Sequence, residues 1–120
     1  MVTAETAVVL PVIVVLLAAM IGVISAVAAK ISCTDAAREG ARAAARGDST
    51  SDVVASARRL APPGAQIEVS LSESEATVVV SMQIRPLGRL SGAIEIRSAA
   101  TSRREPTPVD AQPSPTGSDP

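Results

Sequence analysis

The chain carries one long uncharged stretch, TAVVLPVIVVLLAAMIGVISAVAA, at residues 6–29. Twenty-four residues of helix extend about 36 Å at about 1.5 Å per residue, which is enough to cross a hydrocarbon core of about 30 Å with some tilt. We therefore predict that residues 6–29 form a membrane-spanning helix. Glu5 is the only charged side chain among residues 1–29, and an ionisable group at a membrane border is costly enough to suggest a function.

The helix is expected to continue past the membrane border as a soluble extension, residues 30–46. This segment is rich in Ala and Arg, both of which are strong helix formers, and Gly47 offers a C-cap. Thr3 can cap the N-terminus, where Glu5 would suit the helix dipole, so this acid also has a purely structural explanation. Pro11 should kink the helix locally.

Small residues recur every fourth position along this helix. Such spacing lets another backbone approach closely in lipid, although alanine is also a common helix filler. We predict that four small residues are helix-packing positions: Ala18, Gly22, Ala26 and Gly40.

The soluble part, residues 48–102, is predicted to be a small α+β unit. An amphipathic helix spans about residues 52–60 and ends before Pro62-Pro63-Gly64. The hydrophobic period then changes to two, which indicates an antiparallel hairpin with one buried face. The expected strands are 67–71 and 76–84, with a third, shorter strand at Ile94 and Ile96.

The C-terminal region, residues 103–120, is rich in proline and has little apolar bulk. It cannot bury enough surface to offset its chain entropy, so we predict a disordered tail. The expected organisation therefore has three parts: a long N-terminal helix over residues 1–47, the α+β unit, and this tail.

The composition argues against an enzyme and against nucleic-acid binding. The chain has no His, Phe, Tyr or Trp, and its net charge is -1. The commonest general base and metal ligand is therefore absent, as are base-stacking aromatic rings. We expect no catalytic, cofactor-binding or metal-binding residues, no cofactor and no small-molecule substrate. Cys33 is the only cysteine; it is interpreted as a small buried hydrophobe, with an intermolecular disulfide or a lipid attachment as the alternative.

The charge pattern leaves the membrane orientation open. Lys30, Arg38 and Arg42 follow the apolar stretch, which by itself places the C-terminal part in the cytoplasm, but a basic leader removed from the front would reverse this assignment. A cleaved signal peptide is a rival interpretation, because residues 26–28 resemble a cleavage site. The apolar stretch is, however, longer than the usual core of about 7–15 residues, and no basic residue precedes it.

Two motifs at the start of the chain resemble the TadE-like family, the minor pilins or pseudopilins of tight-adherence (Flp-type) type IV pili. The first is Ala4-Glu5-Thr6-Ala-Val-Val-Leu-Pro11, followed by the apolar run. The second is a string after the membrane helix, formed by Asp35, Ala36, Ala37, Arg38, Glu39, Gly40, Ala41 and Arg42. The Ala-rich and Arg-rich composition is similar to that of actinobacterial members.

The resemblance implies a role for Glu5 in subunit assembly. The resemblance implies a precursor with a short basic leader, which a prepilin peptidase removes. The glutamate then stands at the fifth position of the mature chain. Glu5 is fifth if Met1 is the first mature residue. Three interpretations stay open. Met1 is the start of the processed form, the true start lies upstream of Met1, or this member is not processed.

The expected partners are membrane lipid, other pilin-like subunits, the pilus assembly machinery and a prepilin peptidase. The expected location is the cell membrane as a single-pass protein, with the C-terminal part extracytoplasmic or on a pilus at the cell surface. Two other functions stay open: a membrane accessory or scaffold protein outside any filament, and a secreted soluble protein.

Overall fold

The computed structural model describes residues 3–104, which form two helices and a three-stranded antiparallel sheet. Helix α1 spans Thr3–Ala45, and helix α2 spans Thr50–Leu60. The strands are β1, Gln66–Leu71, β2, Glu75–Ile84, and β3, Ile94–Arg103, with a short 3-10 turn at Gly88–Leu90 before β3. The predicted α+β class, with one long apolar helix, a short second helix and a small antiparallel sheet, is confirmed.

Helix α1 ends in a Schellman motif at the glycine expected from the sequence. The Gly47 amide donates to the Ala44 carbonyl at 3.0 Å, and the Asp48 amide donates to the Ala43 carbonyl at 3.2 Å. Gly47 has a φ of 84°, a left-handed conformation that glycine adopts without the steric cost of a Cβ. The chain turns here, so that α2 packs back on α1.

The sheet has the order β1-β2-β3, with β2 in the centre. Val78 is paired with Val69 on one side and with Ala100 on the other. Both helices cover the same face of this sheet: α1 lies over β2 and β3, and α2 lies against β1. The fold therefore has two layers, and the outer face of the sheet is polar.

Strand β3 is longer than the sequence predicted. It runs for ten residues. The sequence pattern missed its second half because Ser98 and Ser102 take inward positions where an apolar residue would be expected. The Ser98 hydroxyl lies 2.9 Å from the Thr34 hydroxyl, and the Ser102 hydroxyl donates to the Ala41 carbonyl at 2.7 Å. These bonds satisfy both serines against α1, so the strand lacks the apolar alternation that reveals β2.

The core is made of small side chains. Its largest fully buried residues are three valines and one cysteine, and alanines fill much of the rest. These four largest fully buried residues are Cys33, Val53, Val78 and Val80. With no aromatic ring in the chain, the core can exclude water only if helix and sheet approach closely.

Gly40 lets α1 approach β2 and α2 closely. A Cβ placed on it would lie 2.9 Å from Val78 Cγ1 and 3.2 Å from Ala57 Cβ. Both neighbours are fully buried, and the branched Val78 side chain has few rotamers into which it could move. Glycine is therefore required here by contact with β2 and α2.

The predicted disordered tail lies almost wholly outside the described residues. Its expected start, Arg103, is the last residue of β3, where it is paired with Glu75. The Arg104 amide donates to the Ser74 carbonyl at 3.0 Å. Ordered structure therefore extends at least to residue 104, and residues 105–120 are not described.

Gly40→Ala should lower the free energy of unfolding by about 1–2 kcal/mol. Overpacking costs about 1–3 kcal/mol, and the higher helix propensity of alanine returns up to about 1 kcal/mol. Gly92→Ala is the matched control, because a Cβ there meets no described heavy atom within 4 Å. Chemical unfolding of the full chain in detergent, followed by circular dichroism, measures both variants. Equal stability of the two would contradict the close contact at Gly40.

Candidate membrane and assembly surface

The N-terminal part of α1, residues 6–21, is an apolar rod that the other residues described by the structure leave uncovered. Its large side chains, from Val8 to Ile21, are 49–68% exposed. The most apolar window of α1 is only 6% buried and is long enough to cross a membrane. The core helix of a soluble protein would be mostly buried, so this rod fits a membrane anchor.

Glu5 lies in the first turn of α1, at the free end of the rod. Its side chain is exposed. The ion pairs found within residues 3–104 are Glu39–Arg42 and Arg46–Asp48, and both lie at the other end of α1. The predicted role of Glu5 in subunit assembly is not tested by this arrangement.

Three of the four predicted packing positions, Gly22, Ala26 and Gly40, contact other parts of the same chain. Gly22 is buried under the segment that follows β2: an added Cβ would lie 3.0 Å from Pro86 Cβ and 3.2 Å from the Pro86 carbonyl oxygen. Ala26 is partly buried against the core, and Ala18 is half-buried. Contacts of these residues with another subunit stay a prediction, but Gly22 and Gly40 each have a contact within the chain.

The predicted membrane segment therefore has two zones. Residues 6–21 are exposed almost all round, whereas residues 22–29 are partly covered on one face by the sheet and its loop. At the end of the second zone, the Lys30 ammonium donates to the Arg97 carbonyl. This bond fixes the start of the soluble extension against β3.

The charged string after the apolar stretch divides between core and solvent. Its small residues form the buried face of α1 against the sheet and α2: Ala36, Ala37, Gly40 and Ala41. Its charged residues lie on the other faces, with Asp35, Arg38 and Arg42 exposed and Glu39 half-buried. Glu39 Oε2 lies 3.7 Å from an Arg42 nitrogen. The geometry therefore accounts for the small residues by packing within the chain.

Cys33 is buried in the core, which agrees with its interpretation as a small hydrophobe. Its side chain is fully buried between α1 and the sheet. Burial raises the pKa of the Cys33 thiol above its ordinary value, and the Lys30 ammonium lowers it by a smaller amount. A protonated, inaccessible thiol reacts slowly, so this position is poorly suited to a disulfide or a lipid attachment.

Maleimide labelling of Cys33 in the folded chain should be slow at mildly alkaline pH and should become much faster in denaturant. The thiolate is the reactive form, and both burial and the raised pKa keep its population low in the folded state. Mass spectrometry of the full chain in detergent measures the labelled fraction without interference, because no other cysteine is present. Complete labelling in the absence of denaturant would show that the thiol is accessible to solvent and would contradict its burial.

The sequence analysis missed the loop between β2 and β3 as part of this surface. Pro86 contacts Gly22 although 64 positions separate them, and no periodic pattern reports a contact of that range. A local pattern could have indicated that this loop belongs to the surface. Between Glu75 and Glu95 the only charged residues are Arg85 and Arg89, and leucines stand beside them.

Comparison with known proteins finds one family for the N-terminal region. Residues 1–42 match the family model described as TadE-like protein, which is the family suggested by the two motifs. The match covers α1 except its last three residues and does not extend over α2 or the sheet. No curated protein and no solved structure matches the chain.

Proposed function

We propose that the chain, whose residues 1–42 match the TadE-like family model, is a pilin-like, single-pass membrane protein that takes part in assembly of a Flp-type pilus or a related secretion apparatus. The observation that carries this proposal is the family match, which spans the exposed apolar rod together with its single acid. The role is structural and not enzymatic. The proposed partners are membrane lipid, other pilin-like subunits, the assembly machinery and a prepilin peptidase.

The dimensions of α1 support this function. Glu5 and Gly22 are 17 positions apart, or about 26 Å along the helix axis. The acid and the α+β unit therefore stand near opposite borders of a hydrocarbon core of about 30 Å. In the proposed orientation the α+β unit is extracytoplasmic, and the rod can pass from lipid into a bundle of similar helices.

Glu5 would act by pairing with the terminal amine of a neighbouring subunit. In a medium of low dielectric constant, a charge pair is strongly favoured over either charge alone. A single acid on an otherwise uncharged rod can thus fix the axial register between subunits as they leave the membrane. The exposed position of Glu5 at the end of the rod leaves it accessible to such a partner.

Glu5→Gln should reduce incorporation of the subunit into pili by at least about tenfold. Loss of one partner from a charge pair in a poor dielectric costs about 3–5 kcal/mol, and about 1.4 kcal/mol already corresponds to a factor of ten. Immunoblots of sheared pili and of membranes from the same cells measure incorporation and retention. The variant should stay in the membrane fraction, because the apolar rod is unchanged.

Glu68→Gln is the matched control, since Glu68 is an exposed acid on β1, far from the rod. It should be incorporated as the unaltered chain is. Normal incorporation of Glu5→Gln would remove this acid from the mechanism. If the unaltered chain is absent from pili but present in membranes, the accessory or scaffold function is favoured instead. Recovery of the unaltered chain in the soluble fraction without the rod would favour the secreted protein.

A further inference from the structure

The loop between β2 and β3, residues 85–93, exposes apolar side chains at the end of the sheet where Pro86 contacts the helix. Leu90 is 93% exposed and Leu87 is 39% exposed, and Ile94, the first residue of β3, is 49% exposed. Internal hydrogen bonds hold the loop in shape: the Leu90 amide donates to the Leu87 carbonyl at 3.2 Å, and the Leu87 amide donates to the Ser91 hydroxyl at 3.1 Å. The leucines are thus displayed by a compact turn.

The loop lies at the level of α1 where the bilayer should end. A hydrocarbon core of about 30 Å corresponds to about 20 helical residues. If it begins at Glu5, it ends near residue 25, and any tilt of the helix moves this border toward Lys30. Pro86 contacts Gly22, about three residues inside that border. The loop cannot avoid the bilayer unless the bilayer thins around it.

The charges of the loop suit the headgroup region. Arg85 and Arg89 are both exposed and alternate with the leucines, and the nearest acid in sequence is Glu95, at the start of β3. Lys30 adds a further cation on α1 at the same end of the sheet, where its ammonium bonds the Arg97 carbonyl. Guanidinium groups bind phosphate oxygens, while leucines beside them can enter the acyl chains.

We propose that the β2–β3 loop is a second membrane-contact site, in which Leu87 and Leu90 enter the acyl-chain border while Arg85 and Arg89 bind phosphates of anionic lipid headgroups. This inference rests on the proposed function, because it requires α1 to span the bilayer. The loop then fixes how deeply the α+β unit sits in the bilayer border. The Pro86–Gly22 contact holds the loop at the level of the bilayer border, which favours lipid as the occupant.

Single tryptophan substitutions test this site by fluorescence without interference from other residues, since the chain contains no aromatic residue. Leu90→Trp reports on the loop, and Leu16→Trp reports on the rod. Leu71→Trp is the matched control at an exposed leucine at the far end of the sheet. Leu71 is paired with Ala76, and Ala76 with Ser102, whose hydroxyl bonds the Ala41 carbonyl. That level is 19 residues beyond Gly22, or about 28 Å along α1.

Each full-length variant is placed in vesicles of phosphatidylcholine, or of equal parts phosphatidylcholine and phosphatidylglycerol, that include lipid brominated near the glycerol end of its acyl chains. We expect bromine to quench Leu90→Trp severalfold more than Leu71→Trp, with blue-shifted emission and stronger quenching in the anionic vesicles. Adding Arg85→Gln and Arg89→Gln to Leu90→Trp should remove the gain from phosphatidylglycerol. A gain that survives these changes would overturn the assignment of the arginines.

The rod reporter separates failure of the inference from failure of the proposed function. Quenching of Leu16→Trp without quenching of Leu90→Trp would overturn the loop site and leave the membrane anchor standing. Absence of quenching at both positions would overturn both. Blue-shifted Leu90→Trp emission that lipid bromine does not quench, and that depends on protein density in the vesicle, would show that a second copy of the chain covers the loop instead.

Discussion

The close approach of the sheet to one face of α1 is the constraint on which the rest of the structure depends. The chain has no aromatic residue, so burial of apolar area relies on many short contacts between small side chains. Gly40 admits Val78 and Ala57, and Gly22 admits Pro86. A larger residue at either position requires β2 or its following loop to shift away from α1, which weakens the contacts between them.

This close approach lets one helix contact lipid along its N-terminal part and the α+β unit and water along its C-terminal part. Before Gly22 the rod has apolar side chains on its exposed surface, which suits lipid, and after Lys30 the helix has a buried stripe of small residues and an exposed stripe of charges. Residues 22–29 belong to both regions, because Gly22, Ala26 and Ala29 pack against the sheet and its loop while the larger apolar side chains remain exposed. The α+β unit is thereby held at a defined distance from Glu5, and its position relative to the bilayer follows from contacts within the chain.

Much of the fold followed from local patterns, whereas the contacts that position the membrane surface did not. The uncharged stretch predicted the rod, Gly47 predicted the end of α1, and strict alternation predicted the β1–β2 hairpin. The full length of β3 was hidden because Ser98 and Ser102 bond α1 at inward positions that are usually apolar. The partner of Gly22 could not be predicted, since small-residue spacing does not say whether the approaching backbone belongs to the same chain. The assembly role of Glu5 stays a prediction drawn from the family resemblance.

Disulfide trapping between Gly22→Cys and Pro86→Cys, with Cys33→Ala to remove the native thiol, tests the central contact most directly. An added Cβ at Gly22 lies 3.0 Å from Pro86 Cβ, so a small outward shift brings the pair to the roughly 3.5–4.5 Å that a disulfide requires. Oxidation of the full chain in membranes should give a rapid cross-link within one chain. Met20→Cys with Pro86→Cys, which uses an exposed position of the rod, should not cross-link within the chain. Cross-links only between chains, or equal intrachain cross-linking of both pairs, would contradict the account.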